Sequence, residues 1–90
     1  MTPEFEVVFS RSARRALEID LPEKVAAAAF EFIMGDLRIN PRRVGKALRA
    51  PLAPLLSARR GEYRVIYRVD DVRIVVEIVS VSHRRDAYRR

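Results

Sequence analysis

Ninety residues, 49% of them hydrophobic, make one small domain spanning 1–90, with no room for a second core. The absence of cysteine excludes disulfides and thiolate chemistry, and one histidine cannot fill a metal ligand set, so neither metal nor cofactor is expected. The net charge of +6 is carried by a chain with no apolar run near the roughly 18 residues a membrane span needs, and its N-terminus, MTPEFEVVFS, does not have the pattern of a signal peptide, so a cytoplasmic protein is expected.

The segment EFEVVF places Phe5, Val7 and Phe9 on one face of a first strand. Ser10 or Ser12 then caps a helix over SARRALEI, with Ala13, Ala16 and Leu17 inward. Pro22 suits the first turn of a second helix, PEKVAAAAFEFIM, whose apolar stripe is Val25, Ala29, Phe32 and Ile33. Gly35 ends that helix or marks a weak point, and Pro41 ends it in any case. Residues 41–56 hold three of the five prolines and form a connector, long enough to be functional or to contain a helical turn. Three strands follow at about 55–60, 62–69 and 73–81, with VDDV as the hairpin turn between the last two. RIVVEIVSVS is apolar on both faces, as a central strand is. The order β-α-α-β-β-β gives an α+β domain: two N-terminal helices on one face of a small, largely antiparallel sheet, then a short polar tail, HRRDAYRR.

Charge is divided unevenly along this order. Residues 1–41 carry five basic and seven acidic side chains, a balance of 5 − 7 = −2. Residues 42–90 carry thirteen and five, a balance of 13 − 5 = +8. Sixteen of the eighteen basic residues are arginine, whose planar fork grips phosphate bidentately where lysine acts as a point charge. Codon composition explains part of that preference but not its confinement to one half. In YRVIYRV, Tyr63 and Tyr67 alternate toward the core, Arg64 takes the polar face, and Arg68, like Arg73, fits a solvated strand position. His83, Arg84 and Tyr88 follow the last strand and are expected at the same end of the sheet as Arg64. An imidazole, a phenol and several guanidinium groups are the parts needed to move protons around a phosphodiester. Taken singly, His83 also fits an ordinary surface histidine and Tyr88 a ring packed on the sheet.

SARRGEYRVIYRVDD, the following apolar strand, VSHRRDAYR and the connector NPRRVGKAL together resemble the RelE/ParE superfamily of bacterial type II toxins, in particular its RelE-like branch. The resemblance covers essentially the whole chain. It implies a ribosome-dependent mRNA endonuclease that works without a metal. The 2′-hydroxyl of the preceding nucleotide attacks the scissile phosphate, leaving a 2′,3′-cyclic phosphate and a 5′-hydroxyl. It also implies a cognate antitoxin of RelB or Phd type, whose segments fold on binding. Under this resemblance Arg64 holds the phosphate, and His83, Arg84 and Tyr88 complete the catalytic set. Arg42, Arg43, Lys46, Arg49, Arg59, Arg60 and Arg85 are the expected contacts to RNA and ribosome.

One departure stands out. Some members carry two lysines on the strand before YR, one acting as a base, and the aligned positions here are Leu55 and Ser57. Arg59 and Lys46 are the nearest basic substitutes, and arginine is a poor proton acceptor. Two schemes stay open: His83 as base with Tyr88 as acid or as a stacking platform, or an idle His83 with protons supplied by the ribosome or the RNA. Two other functions also stay open, namely a ParE-like poison of DNA gyrase that acts by binding alone and a degenerate toxin that only binds its antitoxin.

Overall fold

Ser10 closes strand β1 (Glu6–Phe9) and opens helix α1 (Arg11–Arg15) in the computed structural model, which describes residues 4–84. Its hydroxyl accepts the Ala13 N–H at 3.0 Å, so of the two expected caps Ser10 is the one used. α1 widens into a π turn over Ala16–Asp20, and α2 (Glu23–Phe32) does the same over Ile33–Leu37. Val25, Ala29, Ile33 and Leu37 are buried at a spacing of four. Such a repeat drifts slowly around a helix of 3.6 residues per turn, and the wider π turn brings it back toward the core. Gly35 lies inside that turn, so of its two expected roles it does not end the helix but falls in the stretch where the α pattern gives way. Pro41 heads a further short helix, α3 (Pro41–Val44), where its missing N–H costs nothing.

The connector thus contains the helical turn its length suggested, α3, and then a two-residue strand, β2 (Lys46–Ala47). Strands β3 (Leu56–Arg60), β4 (Tyr63–Asp70) and β5 (Val75–His83) follow, the last ending two residues beyond its expected limit. The sheet order is β1-β5-β4-β3-β2. β1 runs parallel to β5, and the other pairs are antiparallel. Gly61 turns the chain between β3 and β4 at φ 50°, a left-handed conformation that suits glycine. The β4–β5 hairpin tip is longer than VDDV. Asp70 accepts the Val72 and Arg73 N–H groups, and Ile74 closes the tip at φ 58°, an uncommon conformation for a β-branched residue. No helix among the described residues is long and apolar enough to cross a membrane.

One face of the sheet buries Leu56, Ala58, Tyr63, Val65, Tyr67, Val76, Ile78 and Val81 against Ala13, Ala16 and the α2 stripe. The opposite face is open. Alternation along β5 changes phase midway: Tyr67 pairs with Ile78 but Ile66 pairs with Ser80, a one-residue bulge. Ser10 fixes that bulge, its N–H donating to the Ile78 carbonyl (2.9 Å) and its hydroxyl to the Val79 carbonyl (2.7 Å). The same serine therefore sets the start of α1 and the phase of β5.

Tyr67 anchors α3 to the sheet. Its ring is fully buried, and its hydroxyl donates to the Pro41 carbonyl at 2.6 Å. Burial pushes this phenol up to about 12, against a smaller opposing pull from Arg60 and Arg42. An unfolded tyrosine titrates near 10. The raised folded value means the full contribution is present below about pH 10 and is lost as pH climbs through about 12. Tyr63 adds to the same trend, its phenol also raised by burial. Urea midpoints measured from pH 8 to 11.5 should fall steeply above pH 10, Tyr67 accounting for about 2–3 kcal/mol over the whole window. A midpoint flat through pH 11.5 would contradict the buried phenol.

Candidate functional site

Cross-strand partners in antiparallel pairs share a face, so the register determines which groups meet on the open side. Arg59 of β3 lies opposite Arg64 of β4, and Arg64 lies opposite Ser82 of β5. These three make a row across the sheet. Two residues further along, Lys46, Ser57, Ile66 and Ser80 make a second row across β2, β3, β4 and β5. Arg68 and Glu77 follow, joined by an ion pair. Arg64 and the three serines are half-buried, while Arg59 and Lys46 are exposed. Among the described residues, no carboxylate pairs with Arg59, Arg64 or Lys46, and no hydrogen bond is made by the serine hydroxyls.

Other arginines of the basic half are already engaged. Arg42 donates to Asp71 at 2.6 Å, tying α3 to the hairpin tip. Arg60 lies opposite Tyr63 on the helix side, with its guanidinium 4.9 Å from the Phe32 ring centre and bonded to the Val44 carbonyl at 2.9 Å. That places a cation at the end of α3. Both are among the expected nucleic-acid contacts, and each also has a local structural partner. Arg43 and Arg49 are exposed on the connector. On the open side of the sheet the basic side chains are Lys46, Arg59 and Arg64, with Arg68 paired to Glu77.

His83 is at the expected end but on the other face. It is the last residue of β5 and pairs in register with the buried Tyr63. Its side chain is 13% exposed, with Nε2 3.5 Å from Glu62 Oε1. It lines a cavity of about 790 Å³ with Asp20, Lys24, Val25 and Ala28 from the helix side. The reason is the bulge. Without it Ser82 would face the helices and His83 the open side; the inserted residue reverses both. Arg84 follows as the ladder's last contact, its N–H bonded to the Glu62 carbonyl at 2.7 Å. Arg85 and Tyr88 lie outside the described residues. Ser82 and Ser80 escaped the sequence reading, although VSVS following EI carries the change of phase.

The comparisons with known proteins agree with this architecture. A family model described as the ParE toxin of type II toxin–antitoxin systems, parDE, matches residues 7–88. Over 86 residues the chain is 51% identical to Toxin RelG of Mycobacterium tuberculosis, covering 96% of this chain and 98% of that protein. Toxin RelE of the same organism is 48% identical over 85 residues, covering 94% and 87%. The crystal structure of the toxin–antitoxin complex RelBE2 from M. tuberculosis matches with a TM-score of 0.87 at 48% identity, over 93% of this chain and 95% of that one. The isolated Escherichia coli RelE toxin, at 20% identity and a TM-score of 0.71, shares the fold. The chain thus belongs to the ParE toxin family of type II toxin–antitoxin systems and is a RelE-like toxin within it.

Proposed function

We propose that this toxin is a cytoplasmic, ribosome-dependent mRNA endonuclease that cuts by 2′-hydroxyl attack without a metal and is held in check by a RelB- or Phd-like antitoxin. The observation that carries the reading is Arg64, a half-buried guanidinium on the open sheet face with no carboxylate partner among the described residues. A solvated strand face gains nothing from leaving such a fork unneutralised, whereas a phosphodiester fits it bidentately. In the reaction the O2′–P bond forms and the P–O5′ bond breaks. The 2′-hydroxyl loses a proton, and the departing O5′ gains one. Arg64 sits where it would stabilise the extra negative charge on the non-bridging oxygens. Arg84, at the end of β5, is the second arginine of the proposed set, with Arg85 and Tyr88 beyond it. The antitoxin assignment is supported by the RelBE2 complex and by the RelE–RelB complex of Pyrococcus horikoshii.

His83 takes a different part in this reading. His83 faces the helix side, beside Glu62, whereas Arg64 faces the open side, so we assign His83 to fixing the end of β5. His83→Gln should therefore leave the pH profile of single-turnover cleavage unchanged, with a rate within about tenfold of wild type. Loss of the limb that rises with pH on the acid side, together with a loss of about 10²–10⁴ in rate, would instead make His83 the base.

The family model bears the ParE name, and the competing reading is a ParE-like poison that acts on DNA gyrase by binding alone. Induced expression followed by primer-extension mapping of mRNA 5′ ends separates the two. New ends within translated regions support the endonuclease; DNA damage with intact mRNA supports the gyrase poison. Antitoxin binding with neither effect would indicate a degenerate toxin.

A further inference from the structure

We infer that the open face holds two consecutive phosphates of one RNA strand. Arg59, Arg64 and Ser82 take the first, and Lys46, Ser57 and Ser80 take the second. This inference rests on the RNA reading above and extends it to residues that reading does not use.

Three observations carry it. First, Arg59 and Arg64 are directly opposite one another, a like-charge pairing that weakens a sheet unless an anion lies between or above the two. The next arginine on the same face, Arg68, has a glutamate opposite it instead. The face is therefore neutralised at one end and left positive at the other. Second, the β5 bulge turns Ser80 and Ser82 outward beside the charges, and Ser57 stands between Lys46 and Ile66. Hydroxyls are suited to phosphate oxygens because they donate without adding bulk. Third, the two rows are separated by two residues along each strand, about 6.5–7 Å. Consecutive phosphates of an extended single strand lie a comparable distance apart.

The rows differ in chemistry. Two guanidinium forks suit the phosphate whose charge rises during cleavage, and a single ammonium with hydroxyls suits one that is only held in place. Ile66 lies in the second row and offers an apolar surface to the nucleotide between the phosphates. This arrangement gives Arg59 the place left open by the missing lysines, as a charge stabiliser and not as a base.

Equilibrium binding of a fluorescent 12-nucleotide single-stranded RNA, 2′-O-methylated to prevent cutting, tests the inference across a potassium chloride series. Each phosphate contact on a single strand contributes about 0.7 to the slope of log affinity against log salt. Arg59→Ala and Lys46→Ala should each lower the wild-type slope by about 0.7, and the double variant by about 1.4. Arg68→Ala, which breaks only the pair with Glu77, should leave it unchanged. Wild-type binding with an undiminished slope in Arg59→Ala or Lys46→Ala overturns the two-phosphate track and leaves the endonuclease reading standing. An equal loss in Arg68→Ala overturns it too, since the charges then act as a diffuse field. Wild-type protein with no salt-dependent binding to this RNA overturns the track; absence of mRNA cuts on induction would be needed to overturn the endonuclease as well.

Discussion

Arg64→Ala is expected to abolish growth arrest on induction while the protein folds and still binds its antitoxin. Removing a guanidinium that meets charge developing on phosphate should cost on the order of 10²–10³ in cleavage rate. The stability cost should stay small, within about 1 kcal/mol, because Arg64 is only half-buried and its truncation opens no core cavity. Relief of the repulsion from Arg59 offsets part of the lost packing. Arg64→Lys keeps the charge but loses the fork, so it should recover only part of the activity. Arg68→Ala provides the control, as it removes an exposed arginine already paired with Glu77 and should leave toxicity intact. The measurements are growth after induction, mRNA 5′-end mapping and thermal unfolding. Full arrest by Arg64→Ala would remove this residue from the mechanism.

Local patterns were enough to place the two main helices and the strands of the basic half. Buried Val25, Ala29 and Ile33 follow the stripe read from PEKVAAAAFEFIM, and Tyr63, Val65 and Tyr67 follow the alternation of YRVIYRV. Features that depend on residues distant in sequence were not legible in the same way. β2 is two residues long and exists through its pairing with β3, a contact that its own residues, Lys46 and Ala47, do not announce. The parallel β1–β5 pair joins the two ends of the described chain, so no local signal specifies it.

The site was legible in its charges and not in its phase. An arginine on the polar face of YRVIYRV follows from a period of two. Which residue of β5 stands opposite it depends on a single bulge, and a one-residue slip exchanges the faces of everything beyond. The clue lies in EIVSVS: Ile78 continues the inward set with Val76, while Val81 belongs to the opposite parity. Two adjacent apolar residues, Ile78 and Val79, mark the place where the parity changes. A strand apolar on both faces hides that mark, and this is why the histidine and not the serine was expected beside Arg64.

Gly45→Ala should be the most damaging conservative substitution in the connector. Gly45 has φ −130° and ψ 175°, an extended conformation open to any residue, so the need for glycine is one of space. An added Cβ would lie 2.2 Å from the Tyr67 hydroxyl oxygen, 2.9 Å from the Ser57 carbonyl oxygen and 3.0 Å from Tyr67 Cζ. The ring has nowhere to retreat, being fully buried with its hydroxyl bonded to the Pro41 carbonyl. Either that buried bond breaks or α3 and β2 lift from the sheet. Overpacking costs about 1–3 kcal/mol and an orphaned buried acceptor about 1–3 kcal/mol, so a loss of about 2–5 kcal/mol is expected in urea denaturation. Tyr67→Phe alone should cost about 1–2 kcal/mol for the lost bond. In the double variant the new methyl enters the space left by the hydroxyl, and the combined loss should fall short of the sum by at least about 1 kcal/mol. Strictly additive losses would show that the Tyr67 hydroxyl is not what excludes a side chain at 45. Because Lys46 follows directly and holds its register opposite Ser57, Gly45→Ala should also lower RNA affinity at low salt, a defect that Tyr67→Phe partly restores.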